Sequence, residues 1–322
     1  MGMMIKRGLK RGIEPAHLSL RDFHELRNKI LVLRQVGGLG DILMHRMIFE
    51  DFKSVMPDSH IVFACPKKYH RLVYDHPFID EIVDVTEVDA REYLAVYNTS
   101  TICGRYESMM SPFSDRHRSD IWANHCGVEL KNHNMHLSLR NEVVEKGREI
   151  VRGLTDKPNI LFCPVSAMKN KNLQNEQVTE VVKGLREMGL FVFGSHTREI
   201  KELNKMEVPV VMGLNVEQWA GLVSAADYVL TVDTATFHLA GGLKKPTTAV
   251  FAWTDGKVYG KYYDFILVQK HRDNKDWDCG PCYLWTDCCK DKINNRKPCI
   301  TEITSEMVLN GAKQMLKRWP KS

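Results

Sequence analysis

Short apolar runs alternate with amphipathic stretches along most of this chain. Ile30 to Leu33, His60 to Ala64 and Ile82 to Val85 are compact apolar runs of strand length. Between them, Ile42 to Phe49 begins an amphipathic helix that ends before Pro57, and Tyr69 to Tyr74 forms another ahead of a turn at Pro77. The same rhythm returns further on, with a strand at Asn159 to Cys163, a polar loop at Pro164 to Leu173, a helix at Glu176 to Met188 and a strand at Phe191 to Phe193 running into Gly194 and Ser195. Helices around Ile200 and Trp219 lead to a strand at Tyr228 to Val232, a helix that Gly241 and Gly242 end, and a strand at Thr248 to Phe251. Ser305 to Trp319 is a last amphipathic helix, closed by Pro320. Runs that are apolar at every position belong to strands covered on both faces. Such strands alternating with helices predict an α/β protein with doubly wound parallel sheets.

Two breaks divide the series. Residues 1–28 have weak periodicity and many charges, and read as a basic extension. Gly153, Asp156 and Pro158 interrupt the pattern after a charged helix, so one unit is expected over 29–152 and a second over 153–322. From Thr99 to Arg140 the pattern loosens into polar, histidine-rich sequence. His117, His125, Cys126, His133 and His136 there match no standard ligand spacing and read as packing and surface residues.

At 322 residues, 26% charged and 43% apolar, the composition is that of a globular protein with room for two α/β units. No apolar run approaches a membrane span, and the first residues lack the apolar segment of a secretory signal, so a soluble cytoplasmic protein is expected. Peripheral contact with the inner membrane and a homo-oligomer stay open. Net charge is +5, and the first 29 residues hold seven Lys or Arg against three acids, so most of the excess sits in the extension. The nearly neutral remainder disfavours a broad nucleic-acid face without excluding nucleic acid altogether.

Three stretches carry candidate chemistry. Gly37, Gly38 and Gly40 form a glycine-rich turn between the first strand and first helix, and Asp41 follows in the first helical turn, where the dipole favours a carboxylate. The spacing is not the dinucleotide fingerprint G-x-G-x-x-G. In the second stretch a strand stops at Asp233, and Thr234, Ala235 and Thr236 open a helix. A carboxylate at a strand's C-terminal edge beside a helix N-terminus is how open α/β sheets hold a sugar hydroxyl next to a phosphate, which predicts a nucleotide-linked ligand. In the third, five of nine Cys crowd between Cys279 and Cys299. Cys279 and Cys282 supply two thiolates of a tetrahedral zinc or iron site, and Cys299 with either Cys288 or Cys289 could complete four. Four thiolates leave no open position, so the role expected of the metal is structural.

Gly38-Leu-Gly-Asp41 taken together with Val232-Asp-Thr-Ala-Thr-Phe-His238-Leu-Ala and Lys245-Pro-Thr resembles the family 9 glycosyltransferases, the heptosyltransferases of lipopolysaccharide core. Pro57-Asp58 and Pro77-Phe-Ile-Asp-Glu81-Ile are similar to turns of that family, and the resemblance covers most of residues 29–319. The Cys-rich loop is similar to that of the iron-binding subgroup that modifies autotransporter proteins.

The resemblance implies a GT-B fold, two Rossmann-like domains facing across a cleft, with the acceptor on the first and the donor on the second. It implies inverting transfer from a nucleoside-diphosphate sugar, such as an ADP-heptose, to a glycan or lipid-linked acceptor. A protein or a modified nucleobase is the alternative acceptor, and a binding protein that has kept the fold and lost the chemistry is the alternative class. By position, Asp41 matches the catalytic base, with Gly38 and Gly40 shaping the acceptor-side loop. Ser166 and Lys171, with Lys169 as a competing assignment, match the loop that meets the donor phosphates. Asp233 matches the residue holding the donor sugar, the N–H groups of Thr234 and Ala235 match the pyrophosphate cradle, and His238 matches a donor-site contact. Leu173 stands where the family has Trp, and Ala235 where it has Gly.

Overall fold

The computed structural model describes residues 28–110, 114–270 and 298–321. Among these residues ten strands form two parallel sheets. The first half runs β1 (Lys29–Leu33), α1 (Leu39–His45), α2 (Phe49–Val55), β2 (His60–Cys65), β3 (Glu81–Asp84), β4 (Ala95–Asn98), α3 (Ile102–Met110) and α4 (Arg118–His125), with strand order β3-β2-β1-β4. Helix α5 (Asn141–Leu154) leads into the second half. There the order of elements is β5 (Asn159–Cys163), α6 (Asn175–Glu187), β6 (Phe191–Ser195), α7 (Lys201–Lys205), β7 (Val210–Val211), α8 (Val216–Ala225), β8 (Tyr228–Val232), α9 (Ala235–Gly242), β9 (Thr247–Phe251), α10 (Gly256–Tyr259), β10 (Ile266–Gln269), α11 (Pro298–Thr301) and α12 (Ser305–Arg318). This sheet is ordered β10-β9-β8-β5-β6-β7.

The continuously apolar runs are the central strands. Every residue of β5, β8 and β9 is buried, as are four of the five in β1. In β1, Ile30 and Val32 face a core with Ile42, Phe49, Phe52 and Trp122, while Leu31 and Leu33 face Val62 and Ala64 on the other side. The predicted helix over Tyr69 to Tyr74 is a short 3-10 turn, Lys67–Leu72. The stretch read as irregular, 99–140, contains α3 and α4, and strands β4, β7 and β10 had no counterpart in the sequence reading. All three of these strands are short, and most of their residues are only partly buried.

Helix α5 packs on α8 of the second half, where Gly147 and Gly221 face each other: a Cβ built on Gly147 would lie 2.1 Å from the Gly221 carbonyl oxygen. Nearby, the buried Glu217 of α8 accepts from Arg71 at 2.9 Å, Arg140 at 2.5 Å and Tyr74 at 3.3 Å, tying α8 to the 3-10 turn of the first half.

Candidate active site

Parallel sheets bind ligands beyond the carboxyl ends of their strands, at the point where the strand order reverses. In the first sheet that point lies between β1 and β4. In the second it lies between β5 and β8. The residues predicted for the donor and acceptor sites lie after three of these strands. Asp41 follows β1, Ser166 and Lys171 follow β5, and Asp233 and Thr234 follow β8.

Asp41 sits in the first turn of α1 and accepts from the Gly38 N–H at 3.1 Å, closing the helix start. The same Oδ2 accepts from Arg34 at 3.0 Å, and Oδ1 accepts from Arg118 at 2.7 Å. Arg34 stands one residue past the end of β1; its other guanidinium nitrogen donates to the carbonyls of Thr99 and Ser100 beyond β4, so it ties the two loops of the switch point together. Arg118 opens α4 and is gripped from behind by Glu107 of α3, through Nε at 2.7 Å and Nη2 at 2.8 Å. Burial pushes the Asp41 carboxyl upward, but Arg118 and Arg34 outweigh it and hold the group well below the usual carboxylate range. Among the described residues, Oδ1 receives one donor and Oδ2 two, so Oδ1 keeps a lone-pair direction for a further hydrogen bond.

In front of this carboxylate lies a groove of about 800 Å³, walled by Val36, Gly37 and Gly38 on one side and by Ser100, Thr101, Arg105, Ser108 and Met109 on the other. Gly37 has φ +134°, a conformation that a side chain disfavours, and a Cβ there would lie 2.7 Å from the Asp41 Oδ2. Behind Asp41, the His45 Nδ1–H donates to the Asp41 carbonyl at 2.7 Å, its Nε2 lies 2.8 Å from the Thr99 hydroxyl, and the ring stacks on Trp122. Burial, with Arg34 close by, lowers its pKa to about 3, so the ring is neutral at pH 7.

Across the seam, Asp233 and Lys171 are bonded to each other. Their ion pair is 2.7 Å long, and Thr254 donates to the same Asp233 oxygen at 2.6 Å. Burial raises the Asp233 pKa, but Lys171 more than compensates and the net shift is downward. The resemblance gave these two side chains separate ligand contacts; here each neutralises the other because an unpaired carboxylate 3% exposed is too costly. Lys169 is exposed. The Ser166 hydroxyl donates to the Met168 carbonyl and accepts from the Met168 N–H, so it shapes the loop. Thr234 is the N-cap of α9 and makes no side-chain capping bond. His238 on α9 meets the Tyr263 hydroxyl at 3.2 Å, and burial lowers its pKa to about 4 despite Asp233 and Asp41 nearby.

The two switch points meet at one place. A Cβ built on Gly40 would lie 2.8 Å from His238 Cδ2 and 3.6 Å from the Ala235 Cα, so the absence of a side chain at Gly40 lets α1 touch α9. Asp41, the next residue, lies close enough to His238 for its charge to act on the ring.

Arg34, Arg118 and Glu107 had no signal in the sequence beyond being charged residues close to apolar ones. Of the histidines in the polar stretch, His117 packs edge-on to Tyr262, His133 stacks on Tyr262, and His136 pairs with Glu50 at 2.7 Å. Cys279, Cys282, Cys288 and Cys289 lie outside the described residues, while Cys299 is partly buried against the second half's core. Among the described residues no group of three or more His, Cys, Asp or Glu side chains comes together as a metal site. Among them, too, no helix is long and apolar enough to cross a membrane.

Two facing parallel-sheet domains, with a carboxylate beyond the first strand and a strand-to-helix turn opposite it, define a glycosyltransferase of GT-B fold. The family model for glycosyltransferase family 9 (heptosyltransferase) matches residues 116–277, and the chain belongs to that family. Solved structures show the same fold. A family 9 glycosyl transferase from Veillonella parvula is 18% identical, with TM-score 0.68 over 91% of this chain and 99% of that one. The E. coli ADP-heptose heptosyltransferase II is 13% identical, with TM-score 0.65 over 90% and 99%. The iron-containing dodecameric glycosyltransferase TibC of enterotoxigenic E. coli is 14% identical, with TM-score 0.68 over 90% and 76%. No curated protein matches the chain in sequence.

Proposed function

We propose that the protein transfers a heptose-like sugar from a nucleoside diphosphate, ADP-heptose being the first candidate, to an acceptor hydroxyl with inversion at the anomeric carbon. The observation that carries this reading is the placement of the Asp41 carboxylate, with one lone-pair direction of Oδ1 left over, between the groove and the α9 turn. An acceptor hydroxyl in the groove gives its proton to Oδ1 as its oxygen attacks the anomeric carbon. The bond to the diphosphate breaks on the opposite face, and the nucleotide leaves with the electron pair. Lys171 exchanges Asp233 for the diphosphate oxygens, a point charge moving between two anions 2.7 Å or so from its nitrogen. Asp233 keeps Thr254 and turns its freed lone pairs to a hydroxyl of the donor. The domains are assigned accordingly, acceptor on the first sheet and donor on the second.

For the Cys279 to Cys299 stretch we propose one structural zinc or iron, on the C-x-x-C spacing; TibC is iron-containing by its description. We put lipopolysaccharide first as the acceptor class, because the similar E. coli heptosyltransferase II is described as acting on it. A thermal-shift series with ADP-heptose, ADP, UDP-glucose and GDP-mannose tests the donor: the true donor raises the melting temperature by mass action on the native state. No shift with any adenine nucleotide refutes the donor assignment.

A further inference from the structure

Asp41 is linked to the donor half through a chain of buried groups that the reaction itself does not use. Arg118 holds Asp41 by one nitrogen and Glu107 by the other two. Glu107 is 1% exposed on the acceptor half, and its Oε1 also accepts from the hydroxyl of Tyr259, which belongs to α10 of the donor half, at 2.9 Å. The Arg118 guanidinium lies 5.1 Å over the Tyr259 ring. Two residues along α4, Asp120 accepts from the Tyr262 hydroxyl through both oxygens at 2.8 Å, and Lys261 reaches it at 3.4 Å. The donor-half segment Tyr259 to Tyr262 therefore holds the first turn of α4 from two sides.

We infer that Glu107 and Tyr259 are positioning residues, which set Arg118 and through it Asp41 only while the two halves are closed on each other. This rests on Asp41 being the base. The physical case is one of compensation. A buried glutamate requires partners, and here one comes from its own half and one from the other. If the donor half withdraws, Glu107 loses the phenol and Arg118 loses the ring above it. Arg118 keeps Glu107, but the pair is no longer pinned from the donor half, and the nitrogen that orients Asp41 Oδ1 shifts with it. The base is thus aligned when the donor half has closed, so an unclosed enzyme does not activate a stray hydroxyl or water.

The test uses the full-length protein with ADP-heptose as probe, reading ADP release to water and, separately, alkylation of Cys103 by iodoacetamide followed peptide by peptide by mass spectrometry. Cys103 is buried in the groove wall, with its thiol 3.7 Å from the Arg118 carbonyl, and reports on Arg118 without any turnover. Tyr259→Phe, which keeps the ring, should lower kcat about tenfold, the size of one hydrogen bond to a charged group, with donor KM and melting temperature unchanged. Glu107→Gln should lower kcat at least as much with donor KM unchanged, and lowers the melting temperature as well because it breaks the buried pair with Arg118. Cys103 should alkylate several-fold faster in both, while the buried Cys163 of the donor half stays at the wild-type rate. An inactive Asp41→Asn beside wild-type kcat and wild-type Cys103 labelling in both positioning variants overturns this inference and leaves the base intact. Wild-type turnover by Asp41→Asn overturns the base instead. If the wild type releases no ADP from ADP-heptose, the labelling alone decides, and unchanged Cys103 labelling overturns the inference.

Discussion

Replacing Asp41 by Asn separates the ion pairing the structure gives this carboxylate from the base role proposed for it. Arg34 is 5% exposed, and Asp41 is its counter-ion. In the variant it keeps the Thr99 and Ser100 carbonyls, while Arg118 keeps Glu107. Breaking a buried pair by removing one partner costs about 3–5 kcal/mol, and the retained carbonyls put this case near ~3 kcal/mol. That is tolerable for a protein with a typical ~5–15 kcal/mol of stability. Catalytically, an amide of the same shape cannot accept the proton, and loss of a general base typically lowers turnover about 10²–10⁴-fold. The assay is ADP release from ADP-heptose at a temperature where circular dichroism shows the variant folded, with donor affinity measured by calorimetry and stability by urea melts. Expected is a loss in kcat of that size, donor affinity within a few-fold of wild type, and a lowered urea midpoint. Turnover within a few-fold of wild type refutes the base. An unchanged midpoint refutes the account of Arg34.

Lys171→Ala should weaken ADP binding about 10–100-fold and AMP binding much less, because the proposed function has the lysine meet the second phosphate; equal losses for both nucleotides by calorimetry count against that contact. His45 and His76 have pKa values lowered by burial to about 3 and His238 to about 4, against 6.5 unfolded. The unfolded chain therefore binds more protons between pH 6.5 and about 4, so stability is full above pH 7 and falls as pH drops through that window. Each histidine contributes up to ~1.4 kcal/mol per pH unit. A urea midpoint at pH 5.5 equal to that at pH 7.5 contradicts the three buried neutral rings. Protein purified anaerobically under reducing conditions should carry about one zinc or iron per chain, and Cys282→Ser should lower the melting temperature before it touches turnover. Elemental analysis finding no metal ends the Cys-loop assignment.

Much of the fold was legible because central parallel strands announce themselves. β5 and β8 fall on the residues expected, since both are buried over their whole length and so cannot carry a polar alternation. β4 and β10 lie at sheet edges or beside a single neighbour and keep partly exposed, mixed residues, so their sequences look like loop. Helices α3 and α4 escaped for a different reason. Their inward faces include Glu107, Arg118 and Ser119, polar groups that satisfy one another when buried, and a hydrophobic period cannot record that. The site was legible in the same proportion. Asp41 follows a glycine-rich turn and Asp233 directly follows a strand, whereas Lys171, well past the end of β5, was reached only through the resemblance. That Lys171 binds Asp233, or that Arg34 and Arg118 bracket Asp41, depends on contacts between distant parts of the chain that only the fold brings about.

The crossing of α5 over α8 has a mechanical consequence. Where Gly147 meets Gly221 the two backbones touch with no side chain between them, so neither helix can slide past the other. Helix α5, some 21 Å long at 14 residues, is in effect a rod fastened to the second half although the chain enters it from the first. Any widening of the cleft must then pivot in the strand of chain ahead of α5, close to the Glu217 clasp with Arg71, Arg140 and Tyr74.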